Sequence, residues 1–416
     1  MIIRFLIILG LLVLVDIYFF QSVKTVTTSW SPSKQLLTTK IYWAVSLLSF
    51  AFIVFSLLTW QHPLFSKIIY QYIFCFIFIL LISKITGSLF LLVDDLQRGF
   101  RWLGGFFNLG IAGGSGTGQS ISRAKFLSMT ALGAAAIPLS TMVYGMVKTA
   151  FDFKIRRNKV NIPALPHEFE GLKIIQISDI HSGSFLSSAA FDKAVDLIMA
   201  EKPDVIFFTG DLVNDKSSEA EPHINIWKKL SAPLGIFSIL GNHDYGDYVQ
   251  WDSAALKNEN LERLKQIHAE MGWDLLLNEH RILERNGAKI GLLGVENWGG
   301  ALNFPKKGDV LIAKEGMPEV PVKILLSHDP SHWNAQITTD HKDIDLTFSG
   351  HTHGFQFGIE IPGFKWSPSQ FVYPQWAGLY SEGKQHIYVN RGLGFLGYLG
   401  RVGIKPEITV VELSKA

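Results

Sequence analysis

Cysteine and charged residues are both scarce in this sequence. Among its 416 residues there is a single cysteine, Cys75, so the chain has neither a disulfide framework nor a cysteine-based metal site. Charged residues make up only 18% of the chain, and the formal net charge is +2. A nucleic-acid-binding surface needs a clustered basic face. We therefore expect no nucleic-acid partner.

Hydrophobic residues, by contrast, make up 48% of the chain, and the excess lies in long runs near its start. Runs of about 20 apolar residues are long enough to cross a bilayer. No small-residue cleavage site follows the first run, which argues against a signal peptide. Lys84, the one charged residue of the third run, is expected to snorkel toward an interface. We predict four membrane spans, at 2–20, 41–60, 68–93 and 126–147.

Residues 1–147 are therefore interpreted as the membrane region of a multi-pass protein of a bacterial inner membrane, with the lipid bilayer as a partner. The positive-inside rule gives no orientation, because equal numbers of lysine and arginine residues flank the spans on the two sides. The segment 122-SRAKFL-127 is similar to a twin-arginine export signal in which Ala124 replaces the second arginine. This similarity favours an extracytoplasmic position for the residues after 148.

A glycine-rich segment, 113-GGSGTGQS-120, has the spacing of a phosphate-binding P-loop. Gln119 stands where that motif has the lysine that reaches the β- and γ-phosphates. The segment precedes a membrane span instead of a strand–helix–strand unit. We interpret it as a flexible loop and not as a nucleotide site.

From about residue 166 onward, apolar strand patterns alternate with amphipathic helical patterns. Helices are predicted at 188–202 and 254–271, and Asn286-Gly287 predicts a hairpin turn. These patterns predict a mixed α/β domain over residues 166–416. The basic and then proline-containing segment 148–165 is interpreted as a linker. The main strands are predicted at 172–178, 205–210, 235–240, 323–327, 344–350, 386–390 and 407–413.

The stretch 344-IDLTFSGHTHGFQFG-358 places two histidines, His351 and His353, where an apolar strand ends in a loop. Flanking glycines allow the backbone to turn tightly, so that both imidazoles can face one side. A histidine pair in this setting indicates a metal site. Two ligands do not complete a coordination shell, so further ligands must lie elsewhere in the sequence.

Candidate ligands follow the other predicted strands in the same way. The segments are 178-SDIHSG-183, 209-TGDLVND-215, 240-LGNHDYG-246 and 327-SHDP-330. In open α/β sheets, sites assemble at the carboxyl ends of strands, so these loops can converge. The candidate metal ligands are Asp179, His181, Asp211, Asn242, His328, His351 and His353.

Seven nitrogen and oxygen ligands are more than one ion normally takes from side chains, whereas two ions about 3.5–4 Å apart that share a carboxylate use such a set. Mixed histidine and carboxylate ligands suit Mn²⁺, Fe, Zn²⁺ or Co²⁺ better than Ca²⁺. We therefore predict two divalent metal ions. His332 is an alternative to His328 as a ligand.

The order D-x-H, G-D, G-N-H-D, a lone histidine and then G-H-T-H resembles the calcineurin-like metallophosphoesterase superfamily. The resemblance covers about residues 170–413, and 354-GFQFG-358 and 391-RGLGFLG-397 resemble its bacterial membrane-associated or exported members. That subgroup includes relatives that act as pyrophosphatases on UDP-diacylglucosamine in lipid A synthesis. The implied fold is a sandwich of two mixed sheets flanked by helices. Asp244 departs from the pattern, since many members have glutamate there.

The resemblance also implies a role for each residue. One ion would be held by Asp179, His181 and His353. The other would be held by Asn242, His328 and His351, with Asp211 bridging the two. A hydroxide between the ions would attack phosphorus. His243 would protonate the leaving group, and Asp244 would orient the imidazole ring of His243.

These features predict a membrane-anchored, dimetal phosphoester or pyrophosphate hydrolase, with a lipid-linked substrate such as UDP-2,3-diacylglucosamine. One alternative is a phosphodiesterase or phosphatase of broad specificity acting on soluble nucleotides. Another is a non-catalytic metal-binding scaffold or regulatory domain, which the complete ligand set disfavours. Exposed-looking apolar residues in the late loops fit either a lipid-facing surface or the cover of a sheet edge. They are Phe364, Trp366, Phe371, Tyr373, Trp376, Phe395, Leu396, Tyr398 and Leu399.

Overall fold

The computed structural model describes residues 2–59, 67–106, 122–300 and 304–415. The chain divides into two compact units, Met1–Tyr144 and Gly145–Ala416. The segment 113–120, which has the P-loop spacing, lies outside the described residues.

The first unit contains long apolar helices. Among the described residues, four helices have the length and composition to cross a membrane, in agreement with the four predicted spans. The third helix extends beyond the predicted span 68–93, as far as Phe106. The helices are α1 (Ile2–Thr27), α2 (Pro32–Leu58), α3 (Lys67–Phe106) and α4 (Arg123–Val147).

Lys84 does not snorkel as predicted. Its ammonium pairs with the buried carboxylate of Asp16 on α1, which also accepts hydrogen bonds from Ser46 (2.9 Å) and Tyr42 (3.0 Å) on α2. An unpaired charge is costly inside a bilayer, and pairing within the helix group removes that cost. The cluster ties α1, α2 and α3 together.

The second unit is built on two sheets, with helices α5 (Ala189–Ala200), α6 (Ile224–Trp227), α7 (Ala254–Glu270), α8 (Val310–Lys314) and α9 (Thr338–Asp340). The strands are β1 (Lys154–Asn161), β2 (Lys173–Ile177), β3 (Val205–Phe208), β4 (Ile236–Ser238), β5 (Asp274–Leu275), β6 (Glu279–Arg285), β7 (Ala288–Gly294), β8 (Lys323–Leu326), β9 (Leu346–Ser349), β10 (Ile359–Ile361), β11 (Phe364–Trp366), β12 (Gly378–Glu382), β13 (Gln385–Val389) and β14 (Glu407–Ser414).

One sheet has the strand order β1-β14-β2-β3-β4-β5, and the other has the order β12-β13-β9-β8-β7-β6. Apolar side chains from both sheets share one core, which includes Phe207 on β3 and Phe348 on β9, with ring centroids 5.4 Å apart. Strands β2, β3 and β4 run parallel, as do β7, β8 and β9. This mixed two-sheet sandwich confirms the predicted fold class.

The interpretation of residues 148–165 as a linker is wrong for residues 154–161, which form strand β1. This strand pairs in parallel with β14 along its whole length, from Lys154 opposite Glu407 to Asn161 opposite Ser414. It lies at the edge of its sheet and is exposed over much of its length. Charged residues protect an exposed edge from pairing with other chains, which explains why the sequence of β1 is basic and not alternately apolar.

A buried polar cluster at the start of β14 joins the two sheets. The carboxylate of Glu407 accepts hydrogen bonds from Arg391 (2.5 Å), from Tyr388 on β13 (2.6 Å) and from Thr409 (2.6 Å). Arg156 on β1 lies 3.4 Å away. Burial by itself would raise the pKa of Glu407, but Arg391 and Arg156 hold that pKa below its usual value.

Replacing this carboxylate is expected to cost much of the stability of the second unit. Glu407→Gln leaves the buried guanidinium of Arg391 without its main counter-charge, and breaking a buried pair in this way costs about 3–5 kcal/mol. A depressed pKa contributes stability that is present above the unfolded-state pKa and is lost as pH falls through the folded-state pKa. The wild type should therefore lose its advantage over the variant in acid. Thermal unfolding at pH 7 and at descending pH checks this prediction.

Glu412→Gln is the matched control, since Glu412 lies exposed on the same strand. Equal unfolding temperatures for the two variants at pH 7 would contradict a stabilising role for the Glu407 cluster.

Candidate metal centre

The strand ends of the two sheets meet at one edge of the sandwich. Asp179 and His181 follow β2, Asp211 follows β3, and Asn242 follows β4. From the other sheet, His328 follows β8, and His351 and His353 follow β9. All seven side chains are buried or nearly so. The structure thus brings six of the seven predicted ligands into two close groups of donor atoms, and it places the seventh, Asn242, after the neighbouring strand β4.

The first group of donor atoms comes from Asp179, His181 and His353. The Nε2 atoms of His181 and His353 are 3.0 Å apart, and His353 Nε2 is 3.4 Å from Asp179 Oδ1. Three donors that converge so closely from two sheets are suited to a shared cation. These are the residues that the family resemblance assigns to one ion.

The second group comes from Asp211, His328 and His351. His328 Nε2 lies 3.2 Å from Asp211 Oδ2 and 3.2 Å from His351 Nδ1. The same Asp211 oxygen is 3.6 Å from His181 Nε2, so this one carboxylate contacts both groups. Its position agrees with a bridging role, which stays a prediction.

Asn242 provides a test of whether a cation fits. Its Nδ2 donates to Tyr248 Oη at 2.8 Å, which fixes the amide so that Oδ1 points the other way. Asn242 Oδ1 is buried and has no hydrogen-bond partner among the described residues. A buried carbonyl oxygen without a partner is costly, and a cation would satisfy it. The residues present therefore fit a divalent metal ion.

Neighbouring oxygens determine which nitrogen of each imidazole faces the cluster. His328 Nδ1 lies 2.7 Å from the carbonyl of Thr209, and donating there leaves Nε2 free toward Asp211. His351 is reversed: its Nε2 lies 2.8 Å from Tyr373 Oη and 3.5 Å from Asp329 Oδ2, so Nδ1 faces His328. Sequence reasoning missed Tyr373 and Asp329 in this role.

Arg401 is a further residue that the sequence did not reveal. Its fully buried guanidinium donates to the carbonyls of Arg391 (2.8 Å) and Gly392 (3.0 Å), and it approaches His353 Nδ1 to 3.2 Å. It thereby holds the loop after β13 against the first donor group. Burial lowers the pKa of Arg401 to about 9.

The motif glycines are required by close approach of the backbone to the acids. A Cβ on Gly241 would lie 2.2 Å from Asp211 Oδ1, and one on Gly350 would lie 2.3 Å from Asp179 Oδ2. Neither position tolerates a side chain. Several ligands also have left-handed backbone, with φ of 51° at Asp179 and 69° at His351. Such strain is concentrated at functional sites.

His243 lies beside the cluster and is partly accessible. Its ring packs edge-on against His181, with centroids 5.0 Å apart. The carbonyl of Asn214 lies 2.8 Å from His243 Nδ1 and orients the ring, leaving Nε2 available. The backbone N–H of His243 donates to Asp211 Oδ1 at 2.8 Å.

Asp244 was expected to orient the ring of His243, and in the structure it does something else. Its carboxylate accepts from the backbone N–H groups of Asp211 (2.9 Å), Leu212 (2.8 Å), Val213 (3.3 Å) and Gly241 (2.9 Å). Four donors occupy the acceptor positions of the two oxygens. Asp244 therefore holds the loop that carries Asp211, while Asn214 holds the ring of His243.

The electrostatics of the site favour a cation. Burial lowers the pKa of His181 to about 3 and that of His351 to about 4, so both are neutral at pH 7, the form in which imidazole binds metals. Burial would lower the pKa of His328 too, but the nearby carboxylate of Asp211 raises it to about 10. Positive charge is thus stabilised next to Asp211.

His332, the alternative to His328, is fully used elsewhere. Its Nδ1 lies 2.9 Å from Ser327 Oγ, and its Nε2 lies 2.9 Å from Gln336 Oε1. The ring stacks on Trp298. It belongs to the packing outside the site.

Two models of known protein families match separate parts of the chain. Residues 172–355 match the family model described as calcineurin-like phosphoesterase. Residues 2–150 match the model described as probable calcineurin-like phosphoesterase, transmembrane domain.

Individual relatives agree with these family matches. The metallophosphoesterase YkuE of Bacillus subtilis is 32% identical, over 60% of this chain and 81% of its own length. The phosphodiesterase YaeI of Escherichia coli is 27% identical, over 58% of this chain and 82% of its own length. The UDP-2,3-diacylglucosamine pyrophosphatase LpxG of Chlamydia trachomatis is 29% identical, over 62% of this chain and 89% of its own length.

Proposed function

Because the chain belongs to the calcineurin-like phosphoesterases and carries a matching transmembrane domain, we propose that it is a membrane-anchored hydrolase of phosphoester or pyrophosphate bonds that uses two divalent metal ions. The observation that carries this proposal is the pair of donor groups joined by Asp211, together with the buried Oδ1 of Asn242, which has no hydrogen-bond partner in the part of the chain that the structure describes. A scaffold that had lost catalysis would have no need for this complete set.

The ions would be held by Asp179, His181 and His353 on one side and by Asn242, His328 and His351 on the other, with Asp211 between them. Two such ions supply Lewis acidity toward phosphorus-bound oxygens and lower the pKa of a coordinated water.

The protein's own contribution is positioning and proton transfer. The Asn214 carbonyl accepts from Nδ1–H of His243, which leaves Nε2 as the nitrogen at the accessible side of the cluster. A proton taken up at Nε2 would be passed to the leaving oxygen. Asp244 keeps the Asp211 loop in place beneath it.

For the substrate, we propose a phosphoanhydride or phosphoester linked to a lipid, such as UDP-2,3-diacylglucosamine. The membrane anchor and the similarity to LpxG support this choice. The similarity to the phosphodiesterase YaeI supports the alternative, a phosphodiester of broad structure. The two substrates also differ in where they are encountered, since a nucleotide-linked precursor requires a cytoplasmic site, whereas the twin-arginine-like segment 122–127 favours the opposite face.

Removal of metal is expected to abolish turnover, and its return should restore it. The purified full chain is treated with EDTA and then supplied with Mn²⁺, Zn²⁺ or Ca²⁺, with an aryl phosphodiester and UDP-2,3-diacylglucosamine as parallel substrates. Mn²⁺ or Zn²⁺ should restore activity and Ca²⁺ should not, because the donor set is rich in imidazole. Faster turnover of the lipid nucleotide would support the lipid-linked substrate. Turnover of the aryl diester alone would leave the broad phosphodiesterase, and activity that survives EDTA would contradict a metal-dependent site.

A further inference from the structure

The hairpin formed by β10 and β11 has its polar and apolar faces reversed relative to an ordinary surface hairpin. The register pairs Ile359 with Trp366 and Ile361 with Phe364. Since side chains alternate along a strand, these four apolar residues lie on one face. Glu360 is paired with Lys365, and both lie on the other face.

The polar face is anchored to the rest of the domain by its charged residues. Glu360 accepts from Arg156 at 2.5 Å and from Arg391 at 2.8 Å. Lys365 donates to the carbonyl of Ala377 at 2.5 Å and to Tyr380 Oη at 3.2 Å. These contacts fix the hairpin against the domain by its charged residues, so the apolar face is held outward.

The outward face is apolar and accessible. Ile359 is 52% exposed, Ile361 58%, Phe364 52% and Trp366 38%, and Phe371, a few residues further on, is 78% exposed. Soluble surfaces rarely present so many large apolar side chains side by side, and where they do, the patch is a contact surface. We name the four residues of the hairpin itself, Ile359, Ile361, Phe364 and Trp366, the hairpin face.

The hairpin face belongs to a segment that leaves the metal centre and returns to it. The segment begins after His353, and it returns at Tyr373, whose hydroxyl contacts His351. A surface that binds the hairpin face would therefore also influence the position of the two ends of this segment, and both ends lie at the donor groups.

The same segment is connected, through a neighbouring loop, to Gly145 at the start of the second unit. Phe357, just before β10, forms a bridge with Val402. In the same loop, Arg401 N donates to the carbonyl of Gly145 at 3.2 Å. Gly145 lies in the last turn of α4, which is long and apolar enough to cross a membrane. The hairpin is therefore linked, through this loop, to the first residues of the second unit, which follow the rest of α4 directly in the chain.

We propose that the hairpin face docks on the lipid bilayer in which the chain is anchored. A bilayer is covalently kept close by the spans, it accepts apolar and aromatic side chains without a matching protein surface, and tryptophan and phenylalanine suit its interfacial region. Docking in this way would present the mouth of the metal centre to lipid headgroups.

Depth-dependent quenching tests the proposal in the full chain. In a Cys75→Ala background, Phe364→Cys is labelled with an environment-sensitive fluorophore and reconstituted into phosphatidylcholine–phosphatidylglycerol vesicles with and without doxyl-labelled acyl chains. The label is expected to show a blue-shifted emission and to lose intensity in the doxyl vesicles. The matched control is Leu311→Cys, because Leu311 is 69% exposed on α8. Its emission should not be quenched.

Ile361→Cys, at a hairpin position that is 58% exposed, repeats the measurement if Phe364→Cys fails to fold. An unquenched, water-exposed label at both hairpin positions overturns the proposal. Self-quenching between labelled molecules without quenching by doxyl lipid also overturns it, in favour of a second copy of the chain on this face. The readout needs no catalysis, so it is independent of whether the proposed hydrolase activity is found.

Discussion

Asp211→Asn is expected to slow hydrolysis by about a hundredfold to a thousandfold, the scale seen when one transition-state-stabilising group is removed from an active site. Asparagine has nearly the same shape, so the hydrogen bond from the His243 N–H to Oδ1 is kept. What is lost is the negative charge that faces both donor groups. The variant should therefore fold normally but bind less metal. Turnover and metal content by mass spectrometry are measured together with the unfolding temperature.

Asp192→Asn serves as the control, because the same chemical change there removes only an exposed pair with Lys229. Exposed pairs contribute little, so this variant should match the wild type. Full activity of Asp211→Asn would refute the dimetal site. Loss of activity with unchanged metal content would show that Asp211 is needed for catalysis and not for metal binding.

The fold and the position of the site could be predicted because the ligands directly follow strands that are easy to recognise in the sequence. The strands that carry the ligands, such as β3, are short apolar runs, and each is followed at once by its polar motif. Local patterns suffice there, because parallel strands bring their carboxyl ends to one edge whatever the loops do. The glycines of the motifs reflect the same packing, since Gly241 and Gly350 lie directly against carboxylates.

The site residues that sequence reasoning missed act through contacts that no sequence motif indicates. Asn214 orients His243 through its backbone carbonyl, which every residue possesses. Tyr373 reaches His351 only because the intervening segment folds back, and nothing in its local sequence indicates that path. The role expected of Asp244 was wrong for a related reason: a carboxylate beside a histidine in sequence need not contact its ring.

Two other errors have the same origin in distant partners. The polar residues of β1 predict a linker, because nothing near them in the sequence indicates a pairing strand. The partner, β14, lies near the end of the chain. Lys84 was expected to reach an interface, and its partner Asp16 lies on a different helix. Local patterns describe a residue's preference in water or lipid. They do not describe a partner brought close by the fold.

His243→Ala separates leaving-group chemistry from metal binding. General acid catalysis by a positioned histidine contributes about 10²–10⁴-fold, and its loss is felt most where the leaving oxygen is a poor leaving group. We expect kcat to fall by that amount with an alkyl leaving group and by much less with a nitrophenyl leaving group, which departs without a proton. Metal content should stay unchanged, since His243 is in neither donor group. Parallel kinetics on the two substrates, with metal analysis, check this.

The comparison between substrates distinguishes a proton donor from a residue that only supports the site. A structural role, exerted through the contact of the His243 ring with His181, would lower kcat equally for both leaving groups and reduce metal content. His167→Ala is the control, because His167 is exposed and lies outside both donor groups. If added imidazole partly restores the activity of His243→Ala on the alkyl substrate, the function lost with His243 is proton donation. An equal loss on both substrates without recovery would instead assign His243 to positioning, and the proton for the leaving oxygen would then have to come from solvent.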